Sequence, residues 1–178
     1  MAQKATIYKA LLNIADMDRH YYAEHNLTIA QHPSENDLRL MVRLVAFALN
    51  AHEDLQFTKG ISQDDEPDIW MKSMSGDINL WIDLGQPDEK RIKKACGRSE
   101  KVIIYTFQEG MASAWFKQIQ NSLTRFKNLE VIFLKIDGDI ESMLERSSSL
   151  QCNISDGELS VIKDDTTITI QEERWKEI

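Results

Sequence analysis

Asp68 and Asp83 are the residues of this sequence best placed to do chemistry. Asp68 stands in Pro67-Asp68-Ile69-Trp70, ahead of a short β-branched and aromatic run that reads as a strand to Met74. The next run alternates, with Ile78, Leu80 and Ile82 on one face and Asn79, Trp81 and Asp83 on the other, so it is a strand too. Ser75-Gly76-Asp77 joins the two as a tight turn, and Gly85 lets the backbone turn just beyond Asp83. Two acids are thus carried on neighbouring strands, with Gln86 and Lys90 close behind. Magnesium takes oxygen ligands, commonly one or two carboxylates plus waters and substrate phosphate. A metal held by Asp68 and Asp83 would activate a water and stabilise charge on a scissile phosphate. Lys90 would add positive charge at the phosphoryl oxygens, and Gln86 would hold a water or phosphate. The same residues also suit a plainer design. Asp64, Asp65, Glu66 and Asp68 would form a solvated acidic loop, and Asp83 would sit favourably near the N-terminus of the helix that follows.

The elements that must position these acids are legible on either side. Lys4 to Ile14 and Tyr21 to Ala30 read as the strands of a wide hairpin turning at Asp16–His20. Asp16 and Asp18 fit turn chemistry better than metal ligation. Residues 34–50 read as a buried helix, with Ser34 as N-cap, Asp37 completing a capping box, and an apolar stripe through Leu38, Met41, Val42, Val45 and Leu49. Glu35, Arg39 and Arg43 lie four apart on its other face. That spacing predicts a salt-bridged solvent face, or alternatively a Glu35 aimed at the metal site. A helix is expected over 88–96, with Pro87 in its first turn and Gly97 ending it. Val102–Phe107 and Leu129–Leu134 are continuous apolar runs, as in strands buried on both faces, and the helix Met111–Leu123 lies between them. This alternation predicts a partly parallel sheet. A weak helical piece near Ile140–Leu144 leads to three short strands, 147–154, 158–162 and 166–171, turning at Asp156-Gly157 and Asp164-Asp165.

The totals restrict the function classes. A chain of 178 residues with 42% hydrophobic and 28% charged residues fits one compact α/β (α+β) domain over 1–178. A net charge of −8 argues against tight charge-driven nucleic-acid binding. The distribution tempers this, because residues 53–89 hold ten acids and two lysines, whereas 90–101 hold six Lys/Arg and one Glu. Cys96 and Cys152 stand alone, without the Cys/His spacing of a zinc site. No signal-like segment or 18-residue apolar run is present, so a cytoplasmic address and no membrane partner are expected. Phosphate-cradling and nucleophile-elbow motifs are absent. The four tryptophans suit packing better than base stacking.

Three stretches resemble the YaeQ family of bacterial proteins: KATIYKALLNIADMDRHYY at 4–22, HPSENDLRLMVRLVAFAL at 32–49, and PDIW…LWIDLGQPDEKRIKKACGR at 67–98. The resemblance implies the restriction-endonuclease-like fold of the PD-(D/E)xK nuclease superfamily. Its core would be a helix, three antiparallel strands, a helix and a further strand, forming a mixed central sheet flanked by helices. Here that core spans 34–134, between an N-terminal hairpin at 4–30 and a C-terminal β meander at 147–171; its first strand, near Leu55–Phe57, is only faint in the sequence. By position, Asp68 matches the Asp of Pro-Asp, Asp83 the second acid, and Glu35 the acid of the first helix. The superfamily lysine falls on Gly85, which leaves Lys90 as its substitute. The resemblance therefore implies an Mg²⁺-dependent nuclease acting on DNA or RNA. Its rival is a non-catalytic binding or regulatory protein that keeps the fold. Three features separate the two: convergence of Asp68 and Asp83 on one metal, a lysine amine beside them, and a basic groove from 90–101.

Overall fold

The computed structural model describes residues 4–59 and 65–178, so Asp64 of the expected acidic loop lies outside the described residues. The chain is a mixed α+β protein that contains ten strands and three α-helices among the described residues. It divides into two compact units: Met1–Ala51 with Lys135–Glu172, and His52–Leu134 with Glu173–Ile178.

In the first unit the strand order is β2-β1-β8-β9-β10. β1 (Thr6–Asp16) and β2 (Tyr21–Gln31) form the N-terminal hairpin in unbroken antiparallel register from Thr6↔Gln31 to Asp16↔Tyr21. β1 then pairs in parallel with β8 (Ser147–Ser155), which continues antiparallel into β9 (Glu158–Lys163) and β10 (Thr166–Lys176). Asp156 and Asp164 adopt left-handed backbone (φ 53 and 51), as tight hairpin turns require. Asp18 fastens the first of these turns from the N-terminal hairpin, accepting from Asp156 N–H at 2.8 Å and Gly157 N–H at 2.9 Å. Helix α1 (Asp37–Leu49) presents Met41, Leu44 and Val45 to Leu12, Leu150, Cys152 and Val161. Its N-cap is Asn36, not the expected Ser34. Asn36 Oδ1 accepts from Arg39 N–H at 2.8 Å, whereas the Ser34 hydroxyl is 2.7 Å from His32 Nδ1. A single 3-10 turn, Ile140–Met143, stands where the weak helical piece was expected.

In the second unit the order is β7-β6-β5-β4-β3. The short β3 (Leu55–Phe57), β4 (Ile69–Lys72) and β5 (Ile78–Leu84) form an antiparallel meander. β5, β6 (Ser99–Thr106) and β7 (Leu129–Asp137) are parallel, with α2 (Glu89–Arg98) and α3 (Glu109–Leu123) as the crossover helices. Parallel strands need such crossovers. Residues 102–106 of β6 and 129–134 of β7 are buried throughout, as their continuous apolar runs require. Ile92, Ala95, Ile119 and Leu123 of the helices pack with Trp81, Val102, Ile104, Leu129 and Val131 of the strands. Trp70, Trp115 and Trp175 join this core from its margin. Two expectations at α2 are corrected. Asp88, not a residue of the first turn, precedes the helix as its cap, with Oδ1 accepting from Arg91 N–H at 2.8 Å; Pro87 therefore sits before the cap. Helix α2 also runs through Gly97 to Arg98 instead of ending there. Asn128 makes this possible by donating to the carbonyls of Cys96 and Ser99, both at 3.0 Å.

Candidate active site

Local backbone pairing sets the acid pair. Ile69 lies opposite Ile82, so Asp68 stands just before the paired stretch of β4 and Asp83 just after the paired Ile82 of β5. The Asp68 N–H donates to the Ile82 carbonyl at 3.1 Å, and its carbonyl accepts from Thr58 N–H. Both acids are buried, at 4% and 3% exposure. Two of the residues that the sequence singles out are thus buried at the neighbouring ends of β4 and β5.

Their carboxylates are already engaged. Asp68 Oδ2 accepts from Leu84 N–H at 3.0 Å. Asp83 receives a two-pronged bond from Arg91, with Nε to Oδ2 at 2.9 Å and Nη2 to Oδ1 at 3.0 Å. Arg91 Nη2 also donates to the carbonyl of Glu66 at 2.9 Å. Sequence reasoning looked to Lys90 and missed Arg91. A signal was available: Arg91 is the third residue after the Asp88 cap, and helical side chains lean toward the N-terminus. Arg91 thereby reaches back to the end of β5. Lys90, one residue earlier and so about 100° around the helix, is exposed and makes no ion pair with any described residue.

The other candidates are spread differently. Gln86 donates from Nε2 to Thr106 Oγ1 at 3.1 Å, linking the end of β5 to that of β6. Gly85, at the position of the superfamily lysine, has φ +96 and donates its N–H to the Tyr105 carbonyl at 2.8 Å. Glu35 belongs to the first unit. Its carboxylate accepts from Arg39 Nη1 (2.7 Å), Arg43 Nε (3.0 Å) and Arg43 Nη2 (2.6 Å). The expected salt-bridged face exists, yet it is not a solvent face, because Glu35 and Arg43 are only 6% and 3% exposed. Asp16 is likewise spent on its turn, accepting from the N–H and Nε of Arg19.

The basic stretch is largely neutralised from within. Lys94 pairs with Asp65, Arg98 donates to the Asp65 carbonyl at 2.8 Å, and Lys101 pairs with Glu130 at 2.8 Å. The hydrogen bond and charge of Lys94, helped by Arg98, hold the Asp65 carboxyl below the usual carboxylate range. With Arg91 on Asp83, four of the six cations of 90–101 serve the chain's own acids and carbonyls, leaving Lys90 and Lys93 exposed. Burial pushes the thiols of Cys96 and Cys152 up to about 11 and about 12, so neither is a ready nucleophile or ligand.

A magnesium ion fits this arrangement poorly. Both oxygens of Asp83 accept from Arg91, and Glu35 is committed to two arginines. No group of three or more His, Cys, Asp or Glu side chains that could hold a metal occurs among the described residues. No described helix is long and apolar enough to cross a membrane.

Fold and site together define a mixed α+β protein with a buried, arginine-tied acid pair on adjacent strands. The profile of one family, described as "YaeQ protein", matches residues 1–172, and the chain belongs to the YaeQ family. It is 40% identical to "Uncharacterized protein YaeQ" of Escherichia coli (strain K12) and 42% identical to that of Salmonella typhi, in each case over 99% of both chains. Among solved structures it is similar to YaeQ from Xanthomonas axonopodis pv. citri, with TM-score 0.91 and 44% identity over 97% of this chain and 98% of that one. YaeQ from Pseudomonas syringae gives TM-score 0.92 and 31% identity over 99% of each.

Proposed function

We propose that this chain is a non-catalytic binding protein of the YaeQ family, one whose nuclease-like acid pair serves as an internal ion pair. The observation that carries this reading is the two-pronged bond from Arg91 to Asp83. Each oxygen of a carboxylate so held already accepts from a guanidinium whose fixed charge opposes a metal ion beside it, and arginine does not lose its proton in proteins. Gly85 at the lysine position and an exposed Lys90 support the same reading. The partner is a protein rather than a nucleic acid. Phosphate recognition draws on unpaired Lys and Arg, and most of the cations of 90–101 are spent internally. The test is incubation with single-stranded and duplex DNA and RNA in Mg²⁺ and in Mn²⁺, with fluorescence anisotropy on the same substrates. Neither cleavage nor binding at physiological salt is expected; metal-dependent cleavage that disappears in Asp83→Ala would overturn the reading.

One observation favours the metal-dependent nuclease as a second reading. Asp68 and Asp83 stand at neighbouring ends of β4 and β5, and the elements α1, β3-β4-β5, α2 and β6 follow one another in the order implied for PD-(D/E)xK proteins. On that reading Arg91 would leave Asp83 when metal and substrate arrive, and the same cleavage assay decides between the two.

A further inference from the structure

An amphipathic helix buries one stripe and turns its polar residues to solvent. On α3 one set of residues does neither fully. Ser113, Phe116, Lys117 and Gln120 repeat at helical spacing and so share a face. With Trp175 they line a groove of about 300 Å³, at the lower end of the usual size for small-molecule sites. Its aromatic walls are fixed by other rings. Trp175 stacks on the buried Phe133, with centroids 5.1 Å apart and planes 3° from parallel, and meets Phe116 at 5.2 Å with a tilt of 44°. Phe116 in turn leans on Trp115, whose Nε1 donates to the Pro87 carbonyl at 2.8 Å. Ring packing of this kind sets the walls before anything binds. Among the described residues no acid lines the groove, although the chain as a whole carries a net charge of −8. The polar groups of the groove are chiefly donors: the Lys117 amine, the Gln120 amide, the Ser113 hydroxyl and the Trp175 indole N–H. None of the four hydrogen-bonds another described residue.

We propose that this groove binds a small planar aromatic acid, with its ring against Phe116 and Trp175 and its carboxylate on Lys117. A flat ring suits the walls because ring-on-ring contact adds attraction beyond the area it buries. A carboxylate suits the rim because it only accepts hydrogen bonds, and the rim mainly donates them. Length sets the size. Ser113 to Gln120 spans about 10 Å at the helical rise, roughly two fused rings with a carboxylate. An extended peptide would lay only about three residues along that span, so a small molecule suits it better. The site shares no residue with the acid pair and does not rest on the reading given above.

The experiment measures uptake of 2-naphthoate by the full chain in equilibrium dialysis. The indole N–H signals are followed by NMR in parallel, with that of Trp175 identified by its loss in Trp175→Phe. Wild type should bind saturably, one molecule per chain, in the millimolar range or tighter, and the Trp175 signal should move most. 2-Naphthylmethanol, flat but uncharged, should bind about two- to fivefold more weakly, as loss of an exposed charge pair predicts. Decahydro-2-naphthoate, charged but not flat, should lose about two- to tenfold. Lys117→Glu should weaken binding of 2-naphthoate and leave that of 2-naphthylmethanol unchanged. Ser113→Phe, which fills the groove from a half-buried helix position, should abolish uptake of both. If Ser113→Phe does not fold, Lys117→Glu, at an exposed position, decides by the same contrast between acid and alcohol. The proposal is overturned by a wild type without saturable uptake, by uptake that a folded Ser113→Phe or Lys117→Glu protein leaves intact, or by equal affinity for 2-naphthoate and either analogue. A blocked Trp-containing hexapeptide that displaces 2-naphthoate at equal concentration would also overturn it and give the groove to a protein partner. So would a dimer of the chain that Ser113→Phe dissolves, which would give it to a second copy.

Discussion

Substitution of Glu35 by Ala separates a structural acid from a metal ligand. The Glu35 carboxylate takes three hydrogen bonds from two arginines, two of them from Arg43 at 3.0 and 2.6 Å. The Arg43 side chain is 3% exposed, and its Nη2 also donates to the Ala30 carbonyl at 2.6 Å. Deleting the carboxylate takes the counter-ion from a buried guanidinium that does not deprotonate in proteins. Breaking a buried pair from one side in this way costs about 3–5 kcal/mol. For a chain of this size, that lowers the melting temperature by roughly 6–20 °C. Glu35→Ala/Arg43→Met removes both charges and should recover most of the loss, because an apolar replacement of the whole pair is often neutral. Urea unfolding followed by far-UV circular dichroism in EDTA measures all three proteins with no metal present. A loss below about 1 kcal/mol in Glu35→Ala would refute the reasoning, since an uncompensated buried arginine cannot be that cheap.

Two further outcomes follow from local geometry. Gly138 has φ +127, and a Cβ there would meet Ile168 Cδ1 at 2.5 Å. Gly138→Ala should therefore cost about 2–4 kcal/mol in urea unfolding, and Ile168→Val, which deletes that methyl, should return only the steric share. Because burial raises the Cys96 thiol to about 11 and that of Cys152 to about 12, both stay protonated at pH 8. Only about one part in a thousand of Cys96 is then thiolate, so Ellman's reagent should label the native chain slowly, faster as pH rises toward 11, and label both cysteines promptly in urea. Prompt labelling of the native protein at pH 8 would contradict the burial.

Much of the fold was legible because its signals are local. The apolar runs at 102–107 and 129–134 announced central parallel strands, and the Asp-Gly and Asp-Asp pairs announced hairpin turns. Ends of helices were less legible because caps compete. Ser34 and Asn36 both suit an N-cap, and His32 settles the matter by taking the Ser34 hydroxyl. Gly97 suits a helix end, yet Asn128, 31 residues downstream, satisfies the carbonyls around it and lets the helix run on.

For the site, a strand beginning after Asp68, a strand ending after Asp83 and a short turn between them were readable, and they put both acids at neighbouring strand ends. The partners of the acids were not readable. Spacing of four along a helix puts Glu35, Arg39 and Arg43 on one face, but it looks the same whether that face meets solvent or a core. Arg91 is eight residues from Asp83, and they meet only because the turn through Gly85 and the Asp88 cap fix the entry angle of α2.

The most direct test of the central claim is calorimetric titration of Mg²⁺ and Mn²⁺ into wild type, with Asp83→Ala as control. With Arg91 as the resident cation, wild type shows no saturable binding heat, and Asp83→Ala does not differ from it. Saturable binding in wild type that Asp83→Ala removes would contradict the account and put the metal back at the acid pair.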